Sequence, residues 1–314
     1  ARYMLYAARY QEAADAAAAV KGLGVYSIIP VYKNLFAYAT ENSAEIIFDI
    51  QFVKGTFGND IYGVFAQRSV SGRSLFVPTK NLVDAYEMTN GLPITDPGSG
   101  FNPATPYVNR DPRLAYSIFV DGDILPNGAV FNPKPGGGSD AVGATFTVSP
   151  TGFNVEKYVH AADLTTPNNT GINFILMRYA EVQLIYAEAK IELNQIDATV
   201  LDAINSVRQR ADVNMPAIGA GKTQDELRNI VRHERLVEFA FEGLRYLDIR
   251  RWRIAENVMP GKVYGMTYTN TGGNLVTVEV PAWNNTWDNR NYLWPVPQAE
   301  VDQNAGLGQN DGWN

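Results

Sequence analysis

Residues 232–253 read RHERLVEFAFEGLRYLDIRRWR, threading six arginines and four carboxylates through ten apolar or aromatic side chains. Three readings compete for so much paired charge: a catalytic carboxylate cluster, a phosphate-binding surface, or helix packing with ion pairs at its edge. Thr223 followed three residues on by Glu226 is a capping-box pattern, so a helix is expected to start there. Gly243, free to adopt positive φ, is expected to end it. On such a helix Leu236, Phe239 and Ala240 share one face, while Arg235, Glu238 and Glu242 share a stripe on which guanidinium and carboxylate can pair. Beyond Gly243 a shorter helix carries Arg245, Asp248 and Arg251 at three-residue steps, with Leu244, Leu247 and Trp252 available for packing. These six charged residues are read as structural ion pairs that tie helix ends together at the edge of a core.

Bulk composition weighs against the other two readings. The 314 residues are 46% hydrophobic and 11% aromatic, enough to bury the core of one large domain or two ordinary ones. A net charge of -7 provides no global field for a polyanion, so nucleic acid is excluded as a partner. The absence of cysteine removes disulfides, thiolate nucleophiles and Cys-ligated zinc together. His233-Glu234 lacks the second histidine of a zincin helix, the DGD of residues 121–123 lacks the other positions of a calcium loop, and the glycine run at 136–138 lacks a phosphate-binding lysine. Glu234, Glu238 and Glu242 sit beside arginines that hold them ionised, which makes them poor general acids. No catalytic residue, metal site or cofactor is expected, and the chain is read as no enzyme.

No window approaches the roughly 18 unbroken apolar residues of a membrane span. The opening ARYMLYAARYQEAADAAAAV carries charges where a signal peptide has an apolar core. It begins on helical periodicity without a starter Met, so the expectation is a fragment whose beginning, with any targeting signal, is missing.

Along the chain, residues 2–20 read as helix, tight turn and helix, with alanines at the crossing, and a second hairpin is expected over 186–210. Between them residues 55–150 are dense in glycine and proline, with strand-like runs at 45–53 and 114–120 and a mobile loop expected at 133–143. KVYGMTY and NLVTVEV flank Thr271-Gly272-Gly273 as a β-hairpin. A single domain over 1–314 is expected: helical hairpin and strand (1–54), loop-rich ligand-side excursion (55–170), helical scaffold (171–254), then hairpin and closing motif (255–314).

The opening stretch, taken with its company, resembles the C-terminal signature of the SusD/RagB family. That company is NGLPI (90–94), NRDPRL (109–114), RYAEVQLIYAEA (178–189), LDAINSVRQRADV (201–213) and YLWPVPQAEVDQNAGLGQNDGW (292–313), all in family order. The resemblance implies a mainly α fold of tetratricopeptide-like helical hairpins, with an irregular loop-rich half containing short β-strands. It also implies a lipoprotein on the outer face of a Gram-negative outer membrane, anchored by lipid through the N-terminal part this chain lacks. The implied partner is a SusC-like TonB-dependent transporter, and the implied ligand an oligosaccharide or similar nutrient, without cofactor. The shared motifs belong to the scaffold, so the resemblance transfers a role and not a site.

Sugar binding needs flat aromatic faces beside amides, carboxylates or guanidiniums that match hydroxyls. Two segments offer the mixture. FGNDIYGVFAQR (57–68) supplies Phe57, Asn59, Asp60, Tyr62 and Phe65, and PAWNNTWDNRNY (281–292) supplies Trp283 and Trp287. Tyr62 leads the first group as a stacking face with a hydroxyl, and glycines at 55, 58 and 63 allow close approach of a ring. The competing reading has these aromatics pinning loops to the helical layer. Two function classes stay open: a nutrient-capturing lipoprotein, and a helical-repeat scaffold whose groove binds a peptide or protein partner.

Overall fold

The computed structural model describes residues 1–304 and 306–313; Ala305, within the closing motif, lies outside the described residues. Its elements in chain order are α1 (Arg2–Tyr6), α2 (Tyr10–Gly22), β1 (Ile46–Ile50), α3 (Ile61–Phe65), α4 (Lys80–Ala85), α5 (Arg113–Ser117), β2 (Ile118–Phe119), β3 (Asn154–Val155), β4 (Phe174–Arg178), α6 (Tyr179–Glu192), α7 (Ala198–Arg208), α8 (Gln224–Glu238), α9 (Arg245–Arg251), α10 (Ala255–Val258), β5 (Gly261–Thr269), β6 (Leu275–Asn285) and α11 (Gln298–Gln303). The fold is mainly α, and its strands pair antiparallel in twos: β1 with β4, β2 with β3, β5 with β6.

Helix α6 is the centre of the helical layer. Eleven of its fourteen residues are buried, which requires partners on every side. One side receives α2, whose Ala13, Ala14 and Ala17 let the two backbones approach closely around Val182, Ile185 and Ala189. Arg2 of α1 fastens that hairpin by donating to the Glu181 carboxylate (2.7 Å) and to the Leu176 carbonyl (2.5 Å). The other side receives α7, whose Val200, Ala203, Ile204 and Val207 form an apolar stripe, and α8 through Leu227 and Val231. Helix α8 starts as expected: Thr223 Oγ1 accepts from the Glu226 amide, and Glu226 accepts from the Thr223 amide at 2.7 Å.

Its end is not where the glycine suggests. The helix stops at Glu238, because the Glu238 carbonyl is taken by three buried donors: the Tyr32 hydroxyl (2.6 Å), Arg178 Nη2 (3.0 Å) and Lys157 Nζ (3.2 Å). The Glu242 amide turns instead to the Phe239 carbonyl, Phe241 adopts φ 65°, and Gly243 at φ 80° redirects the chain into α9.

The charge pairing is also redistributed. Arg235 does not pair with Glu238 or Glu242 on its own stripe; it donates to both oxygens of Asp248 (2.9 and 3.1 Å). Arg251 joins it on Asp248 (2.8 Å) and also holds Glu188. Glu238 receives Arg178 (2.6 Å), Arg113 (2.9 Å) and Arg210 (3.0 Å), and Glu242 receives Arg178 and Lys157. The partners of Glu238 and Glu242 come from other elements: Arg113 from α5, Arg178 from the junction of β4 and α6, Lys157 from beyond β3 and Arg210 from beyond α7. Burial pushes the Glu238 carboxyl up, and the three guanidiniums override this, holding it well below the usual carboxylate range; Glu242 is lowered in the same way by Arg178 and Lys157. Arg245 forms no ion pair among the described residues, contrary to expectation; it lies half-buried with the Trp252 ring 6.0 Å away.

In the loop-rich half the strand expected over 114–120 survives only as β2. Asp111 accepts from the Arg113 amide with its carboxylate (3.0 Å) and from the Leu114 amide with its carbonyl (2.9 Å), which starts α5 and turns Arg113 inward to Glu238. The loop at 133–143 is fastened and not free: the buried Asp140 carboxylate accepts from the Ser69 amide (2.9 Å) and hydroxyl. The β5–β6 hairpin forms as expected, and a side chain at Gly265 would meet the Thr151 carbonyl at 2.1 Å, so only glycine lets β5 lie on this segment.

Removing Glu242 leaves Arg178 and Lys157 buried with one acceptor fewer, so Glu242→Ala is expected to cost about 3–5 kcal/mol and lower the urea midpoint. Because Glu238 and Glu242 titrate below their unfolded values, their contribution is complete above the unfolded pKa, about 4.3, and is lost as pH falls through the native values. Urea midpoints measured from pH 6 down to pH 3 should therefore fall, and fall less steeply in Glu242→Gln.

Candidate ligand-binding site

The structure does not assemble the aromatic platform expected at 57–68. Tyr62 is fully buried and donates its hydroxyl to the Val70 carbonyl (2.9 Å); burial pushes that hydroxyl up to about 12. Phe65 is buried edge-on against Phe76. The Asn59 amide is engaged within the chain, donating to the Ile172 carbonyl (2.9 Å) while accepting from the Ile61 amide and the Thr170 hydroxyl. Asp60 holds Arg73 at 2.9 Å. Of the three aromatics in this group Phe57 alone stays open, 63% exposed and stacked on Phe52 at 5.4 Å. Local composition misled because Ile61, Tyr62 and Phe65 lie along one short helix, α3, whose apolar side faces the core.

The two expected tryptophans part company. Trp283 stands on β6, 38% exposed. Trp287 packs edge-on against Tyr292 with centroids 5.0 Å apart, and borders a concavity of about 290 Å³ with Tyr246, Trp294 and Trp313. Tyr292 is buried on Ile249 and Ala255, donates to the Glu256 carboxylate and accepts from the Ala255 amide (3.1 Å), so it anchors this wall to α10. Asp288 begins the turn by accepting from the Arg290 amide (3.0 Å).

The opposite wall comes from the closing motif. Gln309 brackets Val296, accepting from its amide (2.6 Å) and donating to its carbonyl (2.9 Å), while Asn310 donates to the Trp294 carbonyl (2.6 Å). Gly312 at φ 81° then brings Trp313 back onto the 290–293 turn, where its indole N–H reaches the carbonyls of Arg290 (3.2 Å) and Leu293 (3.0 Å). A Cβ at 312 would sit 2.8 Å from that of Arg290, so the return needs glycine. Arg290 lies over the Trp313 ring (4.7 Å); Arg250 lies beside Trp294 (5.7 Å) and Tyr246 (5.2 Å) and donates to the Tyr292 carbonyl. These bonds hold the backbone of 294–296 and the Trp313 ring, while the Trp294 ring remains 67% exposed to solvent.

A second concavity, about 460 Å³, lies between residues 103–108, 120–123 and the hairpin. It is the weaker candidate: its Tyr107 and Tyr268 already pack on the core formed by Leu114, Phe153 and Met266, and Asp121 is engaged by Lys134 at 2.7 Å. Among the described residues no cluster of three or more His, Asp or Glu is placed to hold a metal ion, and no helix is long and apolar enough to cross a membrane.

The sequence matches the SusD family over residues 44–313. The chain belongs to that family. It is 33% identical over 165 residues to SusD-like protein P2 of Formosa agariphila, an overlap of 50% of this chain and 30% of that protein. SusD-like protein P25 of the same organism is 25% identical over 312 residues, covering 92% of this chain and 52% of its own. In structure the chain is similar to a SusD-like carbohydrate binding protein from Bacteroides fragilis, with a TM-score of 0.85 at 32% identity, covering 98% of this chain and 63% of that one. The chain thus spans less than two thirds of these relatives.

Within this SusD-family chain the sequence reading missed Tyr246, Trp294 and Trp313. Two tryptophans stand in the closing motif, but the resemblance that motif carries speaks for the scaffold alone. Gln309→Ala should release the 294–297 segment locally: tryptophan emission should shift to the red as Trp313 becomes hydrated, while the global unfolding midpoint stays within about 0.5 kcal/mol of wild type.

Proposed function

We propose that this chain is the glycan-binding part of a surface nutrient-capture protein, and that it holds oligosaccharide against Trp294 in the concavity shared with Trp287, Trp313 and Tyr246. The observation that carries the reading is the exposed Trp294 face held in a fixed frame beside three further aromatics. Pyranose rings present apolar C–H faces to such platforms, and rigid aromatics bind at low entropic cost. Asn291 and Thr286 at the rim offer hydrogen bonds to ring hydroxyls. The carbohydrate-binding relative from Bacteroides fragilis supports the ligand class.

Family membership supports the wider role: an outward-facing outer-membrane lipoprotein that passes its ligand, without turnover, to a SusC-like TonB-dependent transporter. The scaffold alternative, a peptide held in a helical groove, finds less support because α2, α7 and α8 direct their apolar stripes onto α6.

A glycan array on the purified chain identifies the ligand, and calorimetry tests the site. Trp294→Ala should weaken the best ligand by about thirtyfold, corresponding to about 2 kcal/mol for an aromatic anchor, with an unchanged melting temperature. Wild-type affinity in a folded Trp294→Ala protein would remove the site from this concavity.

A further inference from the structure

Met259 borders the aromatic concavity and also a larger groove of about 630 Å³, which runs between the start of α4, the α8–α9 junction and the base of the β5–β6 hairpin. Arg245 lines this groove. Among the described residues its guanidinium makes neither a hydrogen bond nor a salt bridge, although Asp248 lies on the same helix. That carboxylate is already engaged by Arg235 and Arg251. Burial pulls Arg245 below the ordinary guanidinium value, and Asp248 opposes this only in part. A half-buried cation with five N–H donors and no acceptor is complementary to an anion from outside the chain.

The rest of the lining agrees. In a chain with 33 acidic residues and a net charge of -7, no carboxylate among the described residues borders the groove, while Lys262 adds a second cation. Lys262 reaches Glu279 across the hairpin at 2.9 Å, but both ends of that pair are exposed and the pair is weak. Asn81, Asn257 and Asn285 also border the groove, and among the described residues none of their side-chain amides makes a hydrogen bond. Phe241 and Tyr264 supply the flat apolar surface.

We propose that this groove binds the negatively charged residue of an acidic oligosaccharide, its anionic group on Arg245 and its hydroxyls on the asparagine amides, while neighbouring rings lie across Met259 on Trp294. The proposal rests on the glycan reading above and names the class of glycan: one carrying a carboxylate, as in a uronate, or a sulfate ester.

The test is calorimetry with three probes of equal length: a neutral oligosaccharide, an oligogalacturonate and a sulfated oligosaccharide. Wild type should prefer one of the charged probes by tenfold or more, and that preference should shrink as NaCl rises. A preference for oligogalacturonate assigns a carboxylate, and a preference for the sulfated probe assigns a sulfate. Arg245→Gln should abolish the preference and leave neutral-probe affinity in place. Asn285→Asp, at the exposed end of β6, sets a negative charge in the groove and should also abolish the preference, read as the ratio of charged-probe to neutral-probe affinity, so the proposal stays testable if Arg245→Gln fails to fold. Equal affinity of wild type for neutral and charged probes overturns the proposal while leaving glycan binding standing, and so does a preference that survives both substitutions. Failure of wild type to bind any probe or any glycan on the array overturns the glycan reading itself, and this proposal with it.

Discussion

A single carboxylate, Glu238, receives guanidiniums from three places far apart in the chain: Arg113 of the loop-rich half, Arg178 at the junction of β4 and α6, and Arg210 just beyond α7. Three buried cations around one anion would repel if they stood alone. The surrounding charges remove that difficulty, because Arg113, Arg178, Arg210, Lys157 and Arg208 meet Glu238, Glu242, Glu45, Glu234 and Asp111, five against five, with Glu87 at the rim. Desolvating so many charges makes such a network a weak source of net stability, and apolar residues of similar volume would hold the fold at least as well. What it contributes is selection. Any of these segments docked out of register leaves a buried charge unpaired, at a cost of several kcal/mol, so the helical layer and the loop-rich half have one mutual arrangement.

The same hub decides where α8 ends and so builds the site. Tyr32, Arg178 and Lys157 occupy the Glu238 carbonyl, the helix cannot continue, and the chain turns through Phe241 and Gly243 into α9. That turn places Tyr246 and Arg250 against Trp294 and leaves Arg245 on the groove. Ligand surface and buried charge are therefore coupled through about eight residues of backbone. A site supported in this way is pre-organised, and ligand binding need not order it first.

Features with local causes were legible in the sequence. The Thr223–Glu226 capping box, the alanine face of α2, the apolar stripe of α7 and the β5–β6 hairpin each depend on residues within a few positions, and each forms as read. Features with distant causes were not. Nothing between 57 and 68 reveals that the Tyr62 ring is enclosed by the core, and nothing between 232 and 242 reveals that the Glu238 carboxylate is claimed by residues up to 125 positions away. The family motifs supplied the fold correctly and obscured the site, because a motif that serves the scaffold was taken to exhaust its residues. Trp294 has its carbonyl held by Asn310 and its ring open to solvent, so different atoms of one residue meet the scaffold and the surface.

The six arginines of residues 232–253 show how one charged stretch divides its work. Arg235 and Arg251 are consumed by Asp248 and Glu188, and Arg232 lies near Glu192 and over Trp252. Arg250 and Arg253 brace aromatic rings, the first beside Trp294 and the second over Tyr292 at 4.3 Å. Arg245 lies beside the Trp252 ring and, although Asp248 is three residues away, forms no ion pair among the described residues. Asp248 is engaged by two other guanidiniums, so Arg245 keeps its donors on a groove that no carboxylate among the described residues borders. An arginine left half-buried and unmatched serves the fold poorly, and the physical gain from it comes when an anion arrives from outside the chain.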